Sequence, residues 1–139
     1  MTLCNLRGRV IGNGWALGDD ERVLLVVHHT VAEALAAFLT PYAMFSKCKV
    51  VAHNTPVAVV AGEHDSAAFT NRWCFANDLL TTSQSEGHDQ SSAIAQDLVA
   101  NRFAWVSDSI AGKFLPQVLG MHEVGAVDFD KGCYLGQEI

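Results

Sequence analysis

Two strand-like runs, GRVIGNGWAL (residues 8–17) and RVLLVV (residues 22–27), stand on either side of a short polar turn, Gly18-Asp19-Asp20. Two apolar, β-branched runs that close predict an antiparallel hairpin, which commits the start of the chain to a sheet. The second run is apolar almost throughout, the pattern of a strand covered on both faces. Gly12 and Gly14 inside the first run point to a bulge or a close backbone approach.

Thr30 precedes VAEALAAFL, with Glu33 three positions on, which is the reciprocal capping arrangement of a helix start. Val31, Leu35, Phe38 and Leu39 share one face of that helix. Pro41 is expected to limit its run. CKVVAHN and PVAVVAG, divided at Asn54-Thr55-Pro56, read as a second strand pair, and Asp65 can cap a helical turn through Phe69. Strand, strand, helix, strand, strand is a segregated order, so the expected fold class is α+β, with a mainly antiparallel sheet and packed helices.

Residues 81–92, TTSQSEGHDQSS, lose all hydrophobic side chains and read as a loop or linker. Ser91 or Ser92 can cap a helix from Ala93 to about Asn101, with Ile94 and Leu98 as its buried stripe. From Arg102 the periodicity fails, and GKFLPQVLGMHEVGAVDFDKGCYLGQEI has the glycine content of loop or site and not of core. The expected organisation is therefore an α+β sub-domain over 1–80, a polar linker over 81–92, and a helix with a glycine-rich tail over 93–139. The chain's 139 residues suit one domain, and 50% hydrophobic against 17% charged residues suits a packed core.

A formal charge of −6 removes any general attraction to phosphate backbones, so direct nucleic-acid binding is not expected. No apolar run reaches membrane-spanning length and Met1-Thr2-Leu3-Cys4 begins no secretory leader, so the expected location is the cytoplasm. Cys4, Cys48, Cys74 and Cys133 form no metal-binding or cluster-binding spacing and read as free thiols, with Cys4, Cys48 and Cys74 buried beside apolar runs. No metal site is expected. His28-His29 read as a strand end whose side chains point to opposite faces, and His53, His64, His88 and His122 are scattered. Trp15, Trp73 and Trp105 read as core or rim packing.

The terminal decapeptide, DKGCYLGQEI, carries the chemistry. Gly132 permits a tight turn that places Cys133 at the entrance of the next element. A helix beginning at Tyr134, with Lys131 beside the sulfur, favours a thiolate there. On spacing alone, a small, buried, inert cysteine is the better reading. Gln137 and Glu138 offer an amide and acceptors suited to an amine or pterin edge, and Tyr134 can stack or donate.

KGCYLGQE closely resembles the KGCYxGQE motif of the YgfZ family, folate-binding relatives of the glycine-cleavage aminomethyltransferase T-protein. GKFLPQ is similar to the family's G-x-F-x-P-Q segment, RGRVIGNGWAL to its early K/R-G-K/R hairpin, and PYAMFSKCKV to its Y-x-x-F-S-K-x-x-I segment. Departures stand at Gly120-Met121-His122, at Ala126 and at Asn5, and residues 61–100 do not align. The resemblance implies a GcvT/YgfZ-like folate-binding fold, tetrahydrofolate as cofactor, and iron–sulfur enzymes or assembly factors as partners, among them tRNA-modifying enzymes. It implies Cys133 as the critical thiol tuned by Lys131, with Gly132, Tyr134, Gly136, Gln137 and Glu138 shaping the folate pocket. An aminomethyltransferase and a shortened, non-binding relative are the alternatives. Relatives carry a strand-and-helix segment before the hairpin and a β-rich domain after GQE, so the expectation is an internal fragment or a shortened gene product, with a last helix that was meant to continue past Ile139. A sheet lacking a strand is also expected to expose an edge to a second copy.

Overall fold

The computed structural model describes residues 1–18, 21–53, 59–60, 74–75, 91–128, 130 and 132–133. Three strands, β1 (Thr2–Cys4), β2 (Val10–Gly18) and β3 (Val23–Val27), form an antiparallel sheet in the order β1-β2-β3. The hairpin expected from the sequence is β2–β3, in register from Gly14 opposite Val27 to Gly18 opposite Val23. Between Leu3 and Cys4 the β1–β2 register shifts, an irregularity that places Cys4 opposite Val10. Helices α1 (Ala32–Ala43) and α2 (Ser91–Ala100) complete an α+β fold, with a separate two-stranded pair, β4 (Val59–Val60) and β5 (Cys74–Phe75).

Neighbouring residues of a strand face opposite ways, and β2 uses both sides. On one side, a Cβ added at Gly12 would lie 2.5 Å from Leu35 Cδ1, so α1 rests directly on the strand at that glycine. On the other, the side chain of Asn13 is fully buried and bonded to Ala104, Val106 and Met121. Gly14, at φ 151°, lies against the carbonyl of Val26. Both glycines thus mark close approaches, as their positions in the strand imply. Trp15, Val26 and Phe103 form a core cluster onto which Leu24, Leu98, Trp105 and Val124 pack.

Several sequence expectations give way to tertiary structure. β3 is not covered on both faces: Val23 and Leu25 on one face are exposed, while Val26 on the other is buried. Thr30 does not cap α1. Its Oγ1 instead accepts from Asp108 N at 3.0 Å, and a 3₁₀ turn over His29–Val31 leads into the helix, whose N-cap Val31 has no side-chain bond. Pro41 sits inside α1, which runs on to Ala43 and a second 3₁₀ turn, Met44–Ser46. Val31 and Leu35 are buried and Phe38 and Leu39 half-buried, so the expected face is the one that packs.

Residues 48–53 of the CKVVAHN run form no strand, and the partner of Val59–Val60 is Cys74–Phe75. Ser91 and Ser92 lie inside α2 and do not precede it. The Asp65–Phe69 turn and residues 81–90 of the polar stretch lie outside the described residues, as do Trp73, His64 and His88.

The glycine-rich segment is irregular in backbone but supplies core, against expectation: Phe103, Val106, Pro116 and Met121 are all buried. Its regularity is a series of closed turns. Gly120 N donates to Gln117 O and Met121 N to Pro116 O; then Gly125 N donates to His122 O and Ala126 N to Met121 O. This paired pattern closes a helical turn through a left-handed residue, and Gly120 and Gly125 have φ of 67° and 66°. Among the described residues a side chain at either position would meet no neighbour, and the left-handed backbone is what favours glycine there.

Candidate functional site

Arg9 and Lys113 are far apart in sequence, yet the segments around them pair in space. Val10 N donates to Phe114 O at 2.9 Å and Gly112 N to Val10 O at 2.7 Å, and the Arg9 guanidinium donates to the carbonyl of Lys113. Asn5 shapes the approach, its Oδ1 accepting from Arg7 N at 2.9 Å and Arg9 N at 3.1 Å. The hairpin thereby fixes the segment that leads toward Cys133.

Beside this junction lies a cleft of about 330 Å³. One wall is β1, through Thr2, Leu3 and Cys4; a second is the C-terminal half of α1, through Phe38, Leu39 and Tyr42. The third is Pro116 with the stretch from Ala126 to Asp128. The Phe38 and Tyr42 rings stand 5.6 Å apart at a 46° tilt. Burial pushes the Cys4 thiol above its ordinary range. Thr2 Oγ1 is shielded from solvent and has no hydrogen-bond partner among the described residues. Asp128 is exposed at the mouth, its Oδ1 accepting from Asp130 N at 2.9 Å, which orients the carboxylate. Among the described residues, no cationic side chain lines the cleft.

Of the residues singled out in the terminal decapeptide, Gly132 and Cys133 are described, and both are exposed. Among the described residues, a Cβ added at Gly132 would meet nothing within 4 Å. Lys131, Tyr134, Gly136, Gln137 and Glu138 lie outside the described residues. Cys48 is exposed, not buried, its Sγ 3.4 Å from Ser46 O, and Cys4 is half-buried.

His28 and His29 do not point apart. β3 has ended at Val27, and the two rings stack with centroids 4.7 Å apart. Nδ1 of His28 accepts from Thr30 N at 3.4 Å and lies 2.8 Å from Thr30 Oγ1. Burial and the neighbouring His29 lower the His28 pKa, with Asp108 acting in the opposite direction. Trp105 stands edge-on to both Trp15 and His28, so Trp15 and Trp105 serve as packing, as expected. Among the described residues, no group of three or more His, Cys, Asp and Glu side chains is placed to hold a metal ion. No helix among them is long and apolar enough to cross a membrane.

Sequence reasoning missed Thr2, Cys4 and Asp128 as neighbours across a cleft. Nothing in the chain's periodicity brings β1 beside a segment more than 120 positions away; the backbone bonds at Val10 do.

The chain matches no family profile and no solved structure. It is similar to the tRNA-modifying protein YgfZ of Shigella dysenteriae serotype 1 (strain Sd197), at 32% identity over 124 residues. The similarity to the protein of that name from Escherichia coli O139:H28 (strain E24377A / ETEC) has the same extent. The match covers 87% of this chain and 38% of the relative in each case, so the chain spans about two fifths of the length of the curated proteins it matches.

Proposed function

We propose that the chain acts in support of tRNA modification as a YgfZ-family protein, binding a reduced folate and presenting Cys133 as the reacting thiol. The observation that carries this reading is spatial. The early RGRVIGNGWAL hairpin and the GKFLPQ segment, both of which resemble that family, are hydrogen-bonded to each other at Val10, Gly112 and Phe114, and an exposed Cys133 follows downstream. A partnership that no single segment needs is thus formed between the segments of resemblance.

In this reading Lys131 is the cation beside the Cys133 sulfur, and Gly132, Tyr134, Gly136, Gln137 and Glu138 surround the folate. Iron–sulfur enzymes of tRNA modification, or their assembly factors, are the clients, met through protein contact. An acidic chain suits that route better than direct contact with RNA.

Calorimetric titration with tetrahydrofolate tests the ligand; absence of both heat and thermal shift rejects it. Expression in a bacterium lacking its own YgfZ tests the role, with modified nucleosides in bulk tRNA measured by mass spectrometry. The expected result is restored modification with the wild-type chain and loss with Cys133→Ala. Equal restoration by the alanine variant would remove the thiol from the mechanism.

A further inference from the structure

Phe45 is 91% exposed and Met44 beside it 73%, an apolar knob on the 3₁₀ turn that follows α1. An aromatic ring held in water is an anchor without a pocket, because burial of its surface is where its free energy lies. Tyr42, one helical turn back, belongs both to this exposed shoulder and to the wall of the cleft between β1, α1 and residues 126–128. Knob and hollow therefore stand side by side on one face of the molecule. An apolar cavity of about 150 Å³ admits a benzene ring. The cleft, at about 330 Å³, has room for one, with the Phe38 and Tyr42 rings as its neighbours.

The rims of the two carry opposite charge. From residue 34 to residue 62 the chain has no Asp or Glu, although its net charge is −6, and Lys47 and Lys49, both exposed, follow the knob directly. At the hollow stand Asp128, in its wall, and Asp130, whose N donates to Asp128 Oδ1; both are exposed. Among the described residues, none of these four side chains is ion-paired within its own chain. An apolar knob rimmed by cations, next to an apolar hollow rimmed by carboxylates, is complementary to a second copy of itself. A two-fold contact has that property, since each patch meets on the other copy what the other copy meets on it.

We propose that this face is where a second copy of the chain docks, each copy placing Phe45 in the other's cleft and Lys47 and Lys49 against the other's Asp128 and Asp130. The contact goes beyond the function proposed above and does not depend on it. It is also distinct from pairing at a sheet edge, because side chains and not backbone groups make it.

Sedimentation velocity of the full chain over a wide range of concentration tests the association, and a monomer–dimer equilibrium that weakens with added salt is expected. Phe45→Glu, at a position too exposed for the fold to rest on it, should weaken the dimer about 30-fold or more, the scale of a buried aromatic anchor. Lys47→Glu combined with Lys49→Glu should weaken it as well. Cys4 lines the cleft and reports on it directly. Its alkylation, followed by mass spectrometry, should slow as the wild type dimerises and be independent of concentration in Phe45→Glu, with exposed Cys48 and Cys133 as references.

A monomer at every concentration would leave the cleft to a different occupant and overturn the proposal. A dimer that Phe45→Glu leaves intact uses another surface, the sheet edge among them, and overturns it equally. Loss of the dimer in Phe45→Glu with Cys4 labelled at one rate throughout would place Phe45 outside the cleft. An association indifferent both to salt and to the two lysine changes would remove the charge pairing that selects a second copy. Either result defeats the proposal.

Discussion

Asn13 ties three segments together with one side chain. From the middle of β2 its Nδ2 donates to Ala104 O at 2.8 Å and to Met121 Sδ at 3.3 Å, while its Oδ1 accepts from Val106 N at 2.8 Å. The Asn13 side chain itself is fully buried. Asn13→Leu removes the partners of a buried N–H and a buried carbonyl together, and each unpaired group costs about 1–3 kcal/mol. The expected loss is about 2–5 kcal/mol, read as a lower urea midpoint at unchanged slope. At His28 the accepting Nδ1 requires that the proton sit on Nε2, the neutral form. The folded pKa lies below the ordinary 6.5, so the unfolded chain takes the proton first. The resulting stability is fully present above about pH 6.5 and is lost as pH falls through the folded value. His28→Asn keeps an acceptor for Thr30 N without a titrating ring. Urea midpoints from pH 7.5 to 5.0 should therefore fall more steeply for wild type than for this variant; parallel curves would count against the linkage. Among the thiols, Cys133 and Cys48 are exposed and Cys4 is half-buried with a raised pKa. Limiting iodoacetamide at neutral pH should label the first two before the third, and peptide mass spectrometry shows the order.

Both long helices end alike, and the signal for it was absent from their composition. After α1, Lys47 N donates to Met44 O and Cys48 N to Ala43 O; after α2, Arg102 N donates to Val99 O and Phe103 N to Leu98 O. In each case the left-handed position, φ 56°, is held by a basic residue and not by glycine. Glycine at 47 should relieve the steric cost of that conformation and raise stability by about 0.5–1 kcal/mol. Arg102→Gly should gain less, because it also removes the ion pair of Arg102 with Glu123, although that pair is exposed at 3.2 Å and is worth little. Thermal melts of the two variants would show the ordering. These ends also show where the sequence was readable. The β2–β3 hairpin and the buried Val31–Leu35 face were legible because strict local periodicity decides them. The start of α1 was not: its capping pattern was sound in local terms, but Thr30 found a better partner in Asp108, 78 positions away. The glycine-rich tail was read correctly as irregular and wrongly as peripheral, since backbone irregularity does not say which side chains are inside. Cys133 is exposed, where spacing alone favoured burial, and the cleft depended on contacts no local pattern records.

The molecule as a whole rests on β2 being thin on one side and polar on the other. A glycine at 12 lets α1 lie on the strand through Leu35, which is buried to 3% exposure. One residue on, Asn13 anchors the 104–106 segment and Met121 on the opposite side. The walls of the cleft come from β1 and α1 on one hand and from the chain after Met121 on the other, so both attachments to β2 must hold for the cleft to exist. Gly12→Ala places a methyl 2.5 Å from Leu35 Cδ1, closer than packing allows. Overpacking of this kind costs about 1–3 kcal/mol. Leu35→Ala leaves a cavity instead and costs about 2–5 kcal/mol. In the double variant the new methyl enters the space the leucine vacates, so the two losses should not add; the expected coupling is about 0.5–3 kcal/mol of mutual relief. A urea-denaturation cycle on the four proteins measures it directly. Additive losses would mean that α1 does not bear on Gly12, and the placement of Phe38, Leu39 and Tyr42 beside β1 would lose its physical cause.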